Sequence, residues 1–234
     1  MKKTIGIVGG MGPAATCELM HQIIRLTPAG NDQEHAHILV DCNSAVPDRT
    51  QAILHGGESP VPLLQRMALG LEQMGAQVLL LPCNTSHYFY DEICAPLHVP
   101  LLHMLRETAQ ELQRRGIRRV GVLATDGTIA TGIYRKILAE YGIEGLQPEG
   151  EDQQAVMSVI YDGVKSGRET MDTRPFCRTM DHLFQQGAQT MVLGCTELPL
   201  AFQQYGLQRP NVDPMDVLAR AAIRFALGVE PKEG

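Results

Sequence analysis

The sequence predicts an α/β protein built from two similar halves, each with a parallel β-sheet. Short apolar segments alternate with amphipathic stretches along the chain, which is typical of parallel strands joined by helices that cover both faces of a sheet. Two segments, Gly75–Cys83 and Gly187–Cys195, both read Gly-Ala-Gln, then an apolar run, then a cysteine, at an offset of 112 residues. This matched pair indicates a duplicated unit of about half the chain.

The predicted strands are short and apolar, and they lie in order at Thr4–Val8, His37–Asp41, Val78–Leu81, Val120–Ala124 and Thr190–Leu193. Between and after them, apolar residues recur at the spacing of one helix face. These stretches predict helices at Ala14–Leu26, Leu63–Met74, Leu105–Arg115, Gly132–Tyr141, Gln153–Lys165, Arg174–Gln186 and Met215–Leu227. The alternation predicts two flavodoxin-like domains with parallel sheets, related by pseudo-symmetry.

Further matched segments set the expected domain boundaries. With offsets of 115 and 110 residues, Gly6–Gly12 matches Gly121–Gly127 and Val99–His103 matches Arg209–Asp213. We therefore expect one domain at 1–103 plus 208–234, which carries Cys83, and a second at 104–207, which carries Cys195. No low-complexity linker separates the halves, so we expect them to dock closely, with a ligand cleft between them.

Composition and charge argue against several classes of function. The 20 Lys and Arg residues against 26 Asp and Glu give a net charge of −6 without a run of like charges, so neither nucleic acid nor a membrane is an expected partner. The N-terminal apolar stretch is broken by glycines and is too short for a signal peptide. The 6 cysteines lack CxxC spacing and tight Cys/His clusters, so no metal site is expected. We expect a cytoplasmic chain with reduced thiols.

Cys83 and Cys195 are the candidate catalytic residues. Each ends a predicted strand, and ligands of open α/β sheets bind at the carboxyl ends of the strands. Asn84 and Thr85 after the first cysteine, and Thr196 after the second, are residues that commonly begin helices. Free N–H groups at a helix start bind carboxylates, and the helix dipole lowers a thiol pKa. One such cysteine is more often a packing residue, but a matched pair favours two thiols that serve opposite faces of one substrate, as racemisation requires.

The glycine-rich turn after the first strand fits two interpretations. Gly10–Ala15 reads G-x-G-x-x-A and Asp41 ends the second strand, a pattern also found in dinucleotide-binding domains. The same turn forms when a helix packs closely on a strand, and Pro13 can begin a helix without losing a hydrogen bond. The equivalent turn, Ala124–Thr128, is small and polar and suits a carboxylate better than a pyrophosphate.

Two basic residues are candidates for carboxylate binding. Arg49 can hold a carboxylate through two parallel hydrogen bonds, or it can be a solvated loop residue paired with Asp48. Lys165 ends a predicted helix, where the dipole alone also favours a cation. His87 is predicted to be a core or capping residue. The cysteines without a matched partner are predicted to be packing residues: Cys17, Cys42, Cys94 and Cys177.

Together these motifs resemble the cofactor-independent aspartate/glutamate racemase family. The resemblance spans almost the whole chain and is carried by Gly9–Pro13, Pro47–Thr50, Pro82–Thr85, Ala124–Thr128, Lys165-x-Gly167 and Gly194–Leu198. The motif Pro-Asp-Arg-Thr is closer to the aspartate racemases than to the glutamate racemases. The resemblance implies a racemase that interconverts L- and D-aspartate, with glutamate left open, by a two-base thiol/thiolate mechanism without a cofactor. It also implies a homodimer and a small acidic amino acid as substrate.

The resemblance further implies a role for each matched residue. Cys83 and Cys195 would be the acid/base pair, and Glu197 would orient the second thiol. The residues implied to hold or line the substrate are Met11, Arg49, Asn84, Thr85, Thr128, Lys165, Thr196 and Glu197. Of these, Asn84, Thr85 and Thr128 would hold the α-carboxylate end, and Arg49 and Lys165 the side-chain carboxylate.

Other functions fit part of the pattern. A hydantoin racemase, a decarboxylase or an isomerase of the maleate type would use a related site, although a decarboxylase with one essential cysteine is disfavoured by the intact pair. A non-enzymatic binding protein for small carboxylates would explain the duplicated halves. It gives no reason for a cysteine at both strand ends.

Overall fold

The computed structural model describes residues 2–232, which form two compact units. The first unit comprises residues 2–107 and 215–232, and the second comprises residues 108–214. The divisions expected from the sequence lie after 103 and 207. Residues 208–214 stand with the second unit because they include a strand that pairs with its sheet.

The first unit has a parallel three-stranded sheet with the strand order β2-β1-β3. Its elements are β1 (Ile5–Gly9), α1 (Pro13–Leu26), β2 (Ile38–Cys42), α2 (Arg49–Leu54), α3 (Val61–Gln73), β3 (Val78–Leu80), α4 (Tyr90–Cys94), the start of α5 (Met104–Arg114) and, after the second unit, α11 (Pro214–Leu227). Short 3₁₀ turns lie at Asp32–Glu34 and Thr85–Phe89. The amide of Lys3 donates to the Ala226 carbonyl at 2.8 Å, which ties α11 to the start of β1.

The second unit has a parallel four-stranded sheet with the order β5-β4-β6-β7. Its elements, after the end of α5, are β4 (Arg119–Leu123), α6 (Asp126–Thr131), α7 (Ile133–Glu140), β5 (Glu144–Leu146), α8 (Gly150–Ser158), a π-helix (Val159–Lys165), α9 (Arg174–Gln185), β6 (Thr190–Leu193), α10 (Glu197–Gln204) and β7 (Asn211–Val212). The described residues contain no helix that is both long and apolar enough to cross a membrane.

The two sheets share a topology, as the repeated segments predict. The order β2-β1-β3 of the first unit corresponds to β5-β4-β6 of the second. The fourth position is also equivalent, because Leu79 bridges Leu101 in parallel just as Met191 pairs with Asn211 in β7. The prediction of an α/β fold made of two similar units, each with a parallel sheet, is confirmed.

Two strands, the short helices α2 and α6, and one change of helix type were not predicted from the sequence. The strands are β5 and β7, which have only 3 and 2 residues and carry polar side chains. The single helix predicted at Gln153–Lys165 begins earlier, at Gly150, and continues as a π-helix from Val159. Hydrophobic spacing does not distinguish a π-turn from an α-turn over so short a stretch.

The central strands β1 and β6 are buried along their whole length, because helices cover both faces of a parallel sheet. At the end of β1, Gly10 has a φ of +97°, and a Cβ there would lie 2.2 Å from the backbone oxygen of Asn43. Glycine is therefore required for the turn after β1 to pack directly on the turn after β2. The Gly10 amide donates to the Thr16 hydroxyl at 2.9 Å, so the structure uses this turn for helix packing.

Candidate active site

Cys83 lies three residues beyond the end of β3 and is buried in the hydrophobic core of the first unit. Its amide donates to the Leu81 carbonyl at 2.8 Å. The same core cluster contains Met11, from the turn after β1. The parallel strands therefore bring these two predicted site residues to one edge of the first sheet.

The segment after Cys83 folds as a short 3₁₀ turn, so the helix that the sequence predicts directly after this cysteine is interrupted. Asn84 and Thr85 are buried at its start, and the Asn84 side chain makes no capping hydrogen bond there. The hydroxyl of the next residue, Ser86, donates to the Met11 sulfur at 3.3 Å. This contact joins the turn after β1 to the segment that carries Cys83.

Arg49 is the first residue of α2, and its Nη1 donates to the carbonyls of Pro47 at 3.0 Å and Val46 at 3.4 Å. Asp48 caps the same helix, because its Oδ1 accepts from the Gln51 amide at 2.8 Å. Arg49 is only partly exposed, which differs from the alternative of a solvated loop residue. The start of α2 thus presents a guanidinium whose orientation is set by its own loop.

Cys195 follows β6 and Gly194, and it is buried in the core of the second unit. Its thiol donates to Oε2 of Glu197 at 2.9 Å, and the hydroxyl of Thr196 donates to the same oxygen at 3.3 Å. Glu197 is itself buried and begins α10. Three consecutive residues of the predicted motif therefore form one hydrogen-bonded group.

Lys165 lies beside this group, with its Nζ 3.8 Å from Oε1 of Glu197 and 4.7 Å from the ring centre of Tyr161. It is the last residue of the π-helix. π-Turns are frequent at functional sites, since the extra residue per turn redirects the side chains that follow. The Glu197 carboxylate thus bridges a cation and a thiol.

The electrostatic setting of Cys195 differs from the expectation of a pKa lowered by the helix start. Burial raises the pKa of this thiol well above its usual value, and the Glu197 carboxylate raises it further, while Lys165 lowers it in part. Desolvation and a nearby negative charge both disfavour the thiolate. The expectation was wrong for Cys195, because its surroundings raise the thiol pKa and favour the protonated form.

Thr128 lies on α6, the helix that follows β4, and it is buried. Thr125 caps this helix and its hydroxyl lies 3.2 Å from that of Thr128. The loop after β6 is held to the end of β4 because the Gly194 amide donates to the Leu123 carbonyl at 2.7 Å. Thr128 and Cys195 consequently belong to the same carboxyl edge of the second sheet.

Tyr134, a fully buried residue of α7, was not predicted to lie near the site. A Cβ on Gly194 would come within 3.1 Å of the Tyr134 ring, so the ring packs directly against the turn that leads to Cys195. Burial raises the Tyr134 pKa, with smaller contributions from Asp213 and Cys195. No sequence signal marks this residue, because it belongs to an ordinary amphipathic helix.

No group of three or more His, Cys, Asp and Glu side chains suited to a metal ion is found among residues 2–232. All six cysteines are free thiols, and Cys17 and Cys42 are exposed. The candidate site residues fall into two groups, one around Cys83 in the first unit and one around Cys195 in the second.

Comparison with known proteins relates the whole chain to one enzyme family. The family model described as Asp/Glu/Hydantoin racemase matches residues 8–222. The broad specificity amino-acid racemase RacX of Bacillus subtilis (strain 168) is 30% identical over 230 residues, which cover 97% of this chain and 99% of that protein.

Solved structures give the same relationship. The Picrophilus torridus aspartate racemase has a TM-score of 0.82 and 31% identity, and the match covers 98% of this chain and 96% of that one. An aspartate racemase homologue from Pyrococcus horikoshii OT3 has a TM-score of 0.77 and 25% identity, with 97% and 99% covered.

Proposed function

The chain belongs to the Asp/Glu/hydantoin racemase family, and from that premise we propose that it racemises acidic amino acids, aspartate first, with Cys83 and Cys195 as the acid/base pair and no cofactor. One observation carries this proposal. The two units place a buried cysteine at the same position, just beyond the equivalent strands β3 and β6. A reaction that removes a proton from one face of a carbon and returns one to the other face needs two such groups.

The proposed mechanism moves one proton to sulfur and one from sulfur. A thiolate takes the α-proton and forms an S–H bond, the electron pair of the broken C–H bond passes to the α-carbon and its carboxylate, and the second thiol protonates the opposite face. Cys195 is the proton donor in the free enzyme, since its pKa is raised by burial and by Glu197. The reverse reaction exchanges the two protonation states, so the pair titrates as a coupled system.

The residues around the thiols supply charge stabilisation in this proposal. Asn84, Thr85 and Thr128 are buried polar residues at the sheet edges and are proposed to hold the α-carboxylate. Preorganised donors of this kind stabilise negative charge that develops in the transition state. Met11 and Thr196 are proposed to line the site, next to Cys83 and Cys195 respectively.

The experiment that tests the function follows the α-carbon of the substrate. L-Aspartate incubated in D₂O without added cofactor should acquire α-deuterium and yield D-aspartate on chiral chromatography. Cys83→Ala and Cys195→Ala should each abolish net racemisation, whereas Cys17→Ala, which changes an exposed thiol, should retain it. A protein that only binds carboxylates would show no exchange, and racemisation by either active-site variant would contradict the two-base assignment.

We also propose that the enzyme acts as a homodimer in a reducing compartment such as the cytoplasm. Six free cysteines, two of them essential to the proposed chemistry, require reduced thiols. Light scattering after size-exclusion chromatography would give the oligomeric state. Activity should survive dialysis against EDTA, fall with peroxide and return with dithiothreitol; restoration that needed pyridoxal phosphate or a metal would contradict the cofactor-free mechanism.

A further inference from the structure

A cluster of rings that contains one buried histidine and two half-buried rings follows Cys83 in the first unit and has no part in the proposed chemistry. His87 is fully buried, and its ring centre lies 4.9 Å from that of His103 and 6.1 Å from that of Tyr90. The Tyr90 hydroxyl donates to the Leu101 carbonyl at 2.7 Å. Apolar side chains would fill the same space, so the presence of an imidazole at position 87 calls for a polar explanation.

Both nitrogens of His87 have backbone partners. The Met104 amide donates to Nε2 at 3.2 Å, and Nδ1 lies 2.9 Å from the Cys83 carbonyl oxygen. An amide N–H can only donate, so Nε2 is the unprotonated nitrogen and Nδ1–H donates to the carbonyl. Burial lowers the His87 pKa to about 4, although the backbone hydrogen bonds to Cys83 and Leu102 raise it in part, so the ring is neutral at physiological pH. The ring therefore connects the backbone of Cys83 to the first residue of α5.

The backbone of Cys83 has hydrogen-bond partners on both sides of its Cα. The amide of Cys83 is held by the Leu81 carbonyl, and its carbonyl is held by His87, so the peptide groups on both sides of its Cα are fixed. The interrupted helix after this cysteine offers no continuous α-helical ladder to do the same. The imidazole is therefore the side chain that holds the carbonyl of Cys83.

We propose that His87 is a positioning residue that sets the place of the Cys83 thiol by joining the Cys83 carbonyl to the start of α5. The expected effect of His87 on turnover rests on the proposed function, whereas its expected effect on the reactivity of Cys83 does not. A misplacement of a catalytic group by about 1 Å can cost about 100-fold in rate. A side chain that served only to fill the core would leave the local reactivity of Cys83 unchanged.

Three substitutions separate the polar role from packing. His87→Phe keeps a ring but loses both hydrogen bonds. His87→Asn places an amide N–H where Nδ1–H was and retains the bond to Cys83, whereas His87→Gln reaches the position of Nε2 and retains only an acceptor for Met104. Tyr90→Phe is the matched control, because it removes a side-chain bond to a backbone carbonyl in the same cluster without touching Cys83.

The decisive measurement is the rate of iodoacetamide alkylation of Cys83 relative to Cys195, followed by peptide mass spectrometry, together with kcat and KM for aspartate. We expect His87→Phe and His87→Gln to change the alkylation ratio by about tenfold or more and to lower kcat by about 100-fold with KM within about threefold. His87→Asn and Tyr90→Phe should stay near the wild-type values.

Two results would overturn the proposal. One is a wild-type alkylation ratio in folded His87→Phe or His87→Gln. The other is equal damage in His87→Asn and His87→Gln, which would mean that the bond to Cys83 has no special role. If Cys83→Ala proves active, the proposed function fails, but the alkylation ratio still decides whether His87 positions this thiol. If His87→Phe does not fold, the Asn and Gln pair gives the same comparison.

Discussion

At the scale of single residues, the two thiols are equivalent in position but differ in their surroundings. The Cys195 thiol donates to the buried carboxylate of Glu197, whose other oxygen lies near Lys165. Cys83 instead has its backbone carbonyl oxygen 2.9 Å from Nδ1 of His87. A buried thiol that donates to a carboxylate stays protonated to higher pH. The second unit thus carries a cysteine whose thiol pKa is raised by burial and by a neighbouring carboxylate.

Glu197 and Lys165 should shift the Cys195 pKa in opposite directions. Glu197→Gln keeps the shape but removes the negative charge, so the thiol pKa should fall and alkylation of Cys195 at pH 7 should become faster, by about tenfold for each pKa unit. Lys165→Met removes the cation and should slow alkylation. The pH dependence of alkylation measures both; a shift of the same sign in the two variants would contradict this electrostatic account.

Arg49 should determine the preference for a substrate with a second carboxylate. A guanidinium offers two parallel donors, and an ammonium cannot reproduce that fork. We therefore expect Arg49→Lys to lower kcat/KM for aspartate by about tenfold or more and to leave the lower rate with alanine little changed. Initial rates with both amino acids, measured by chiral chromatography, give the ratio. An equal loss with the two substrates would place the selectivity elsewhere.

At the scale of elements, the turns at the carboxyl ends of the strands are built by close backbone approach. Gly10 illustrates this, because its positive φ and its distance to Asn43 exclude a side chain. The π-helix is a second irregular segment, and it ends at Lys165, whose Nζ lies 3.8 Å from Oε1 of Glu197. The site depends on these irregular segments as much as on the regular strands.

Gly10→Ala should destabilise the first unit and reduce activity. A Cβ would overlap the Asn43 carbonyl, and the left-handed backbone costs a further ~1 kcal/mol, so we expect a loss of at least about 2 kcal/mol in unfolding free energy. Gly70→Ala is the control. Gly70 lies inside α3, where an added Cβ would meet nothing within 4 Å, and alanine should stabilise that helix by up to about 1 kcal/mol. Urea denaturation of both variants checks the two signs.

At the scale of the whole molecule, the stability should depend on pH through His87, which is buried, and His103, which is half-buried. Burial lowers the pKa of His87 to about 4 and that of His103 to about 3, from 6.5. The unfolded chain therefore binds more protons than the folded one below pH 6.5. The stabilisation that each neutral histidine contributes to the folded state is complete above pH 6.5. It is lost progressively as the pH falls toward the pKa of that histidine in the folded protein.

The unfolding free energy should accordingly be about 2 kcal/mol lower at pH 5 than at pH 7 for His87 alone, from 1.36 kcal/mol per pKa unit. This difference gives the unfolding free energy a positive slope with pH between these two values. His87→Asn should flatten it, while a substitution at the exposed His55 should not. Urea midpoints at several pH values provide the test, and an unchanged slope in His87→Asn would show that this histidine is not the titrating group.

Most of the regular strands and helices could be predicted from local sequence patterns. Five strands and seven helices follow from short apolar runs and from helical spacing, and the boundaries in the structure differ from the predicted ones mostly by one or two residues. The repeat of Gly-Ala-Gln and cysteine correctly relates β3 to β6. Because these features are local or periodic, they can be detected in a single sequence.

The sequence by itself determined the duplicated α/β architecture and the two cysteines at equivalent strand ends, because periodicity and internal repetition need no knowledge of distant contacts. Only the tertiary structure decided how those cysteines are surrounded. It reversed the expected pKa shift of Cys195, since desolvation and the carboxylate of Glu197 outweigh a helix start. It also gave His87 its link to Met104, as hydrogen bonds and burial arise from residues that meet only when the chain has folded.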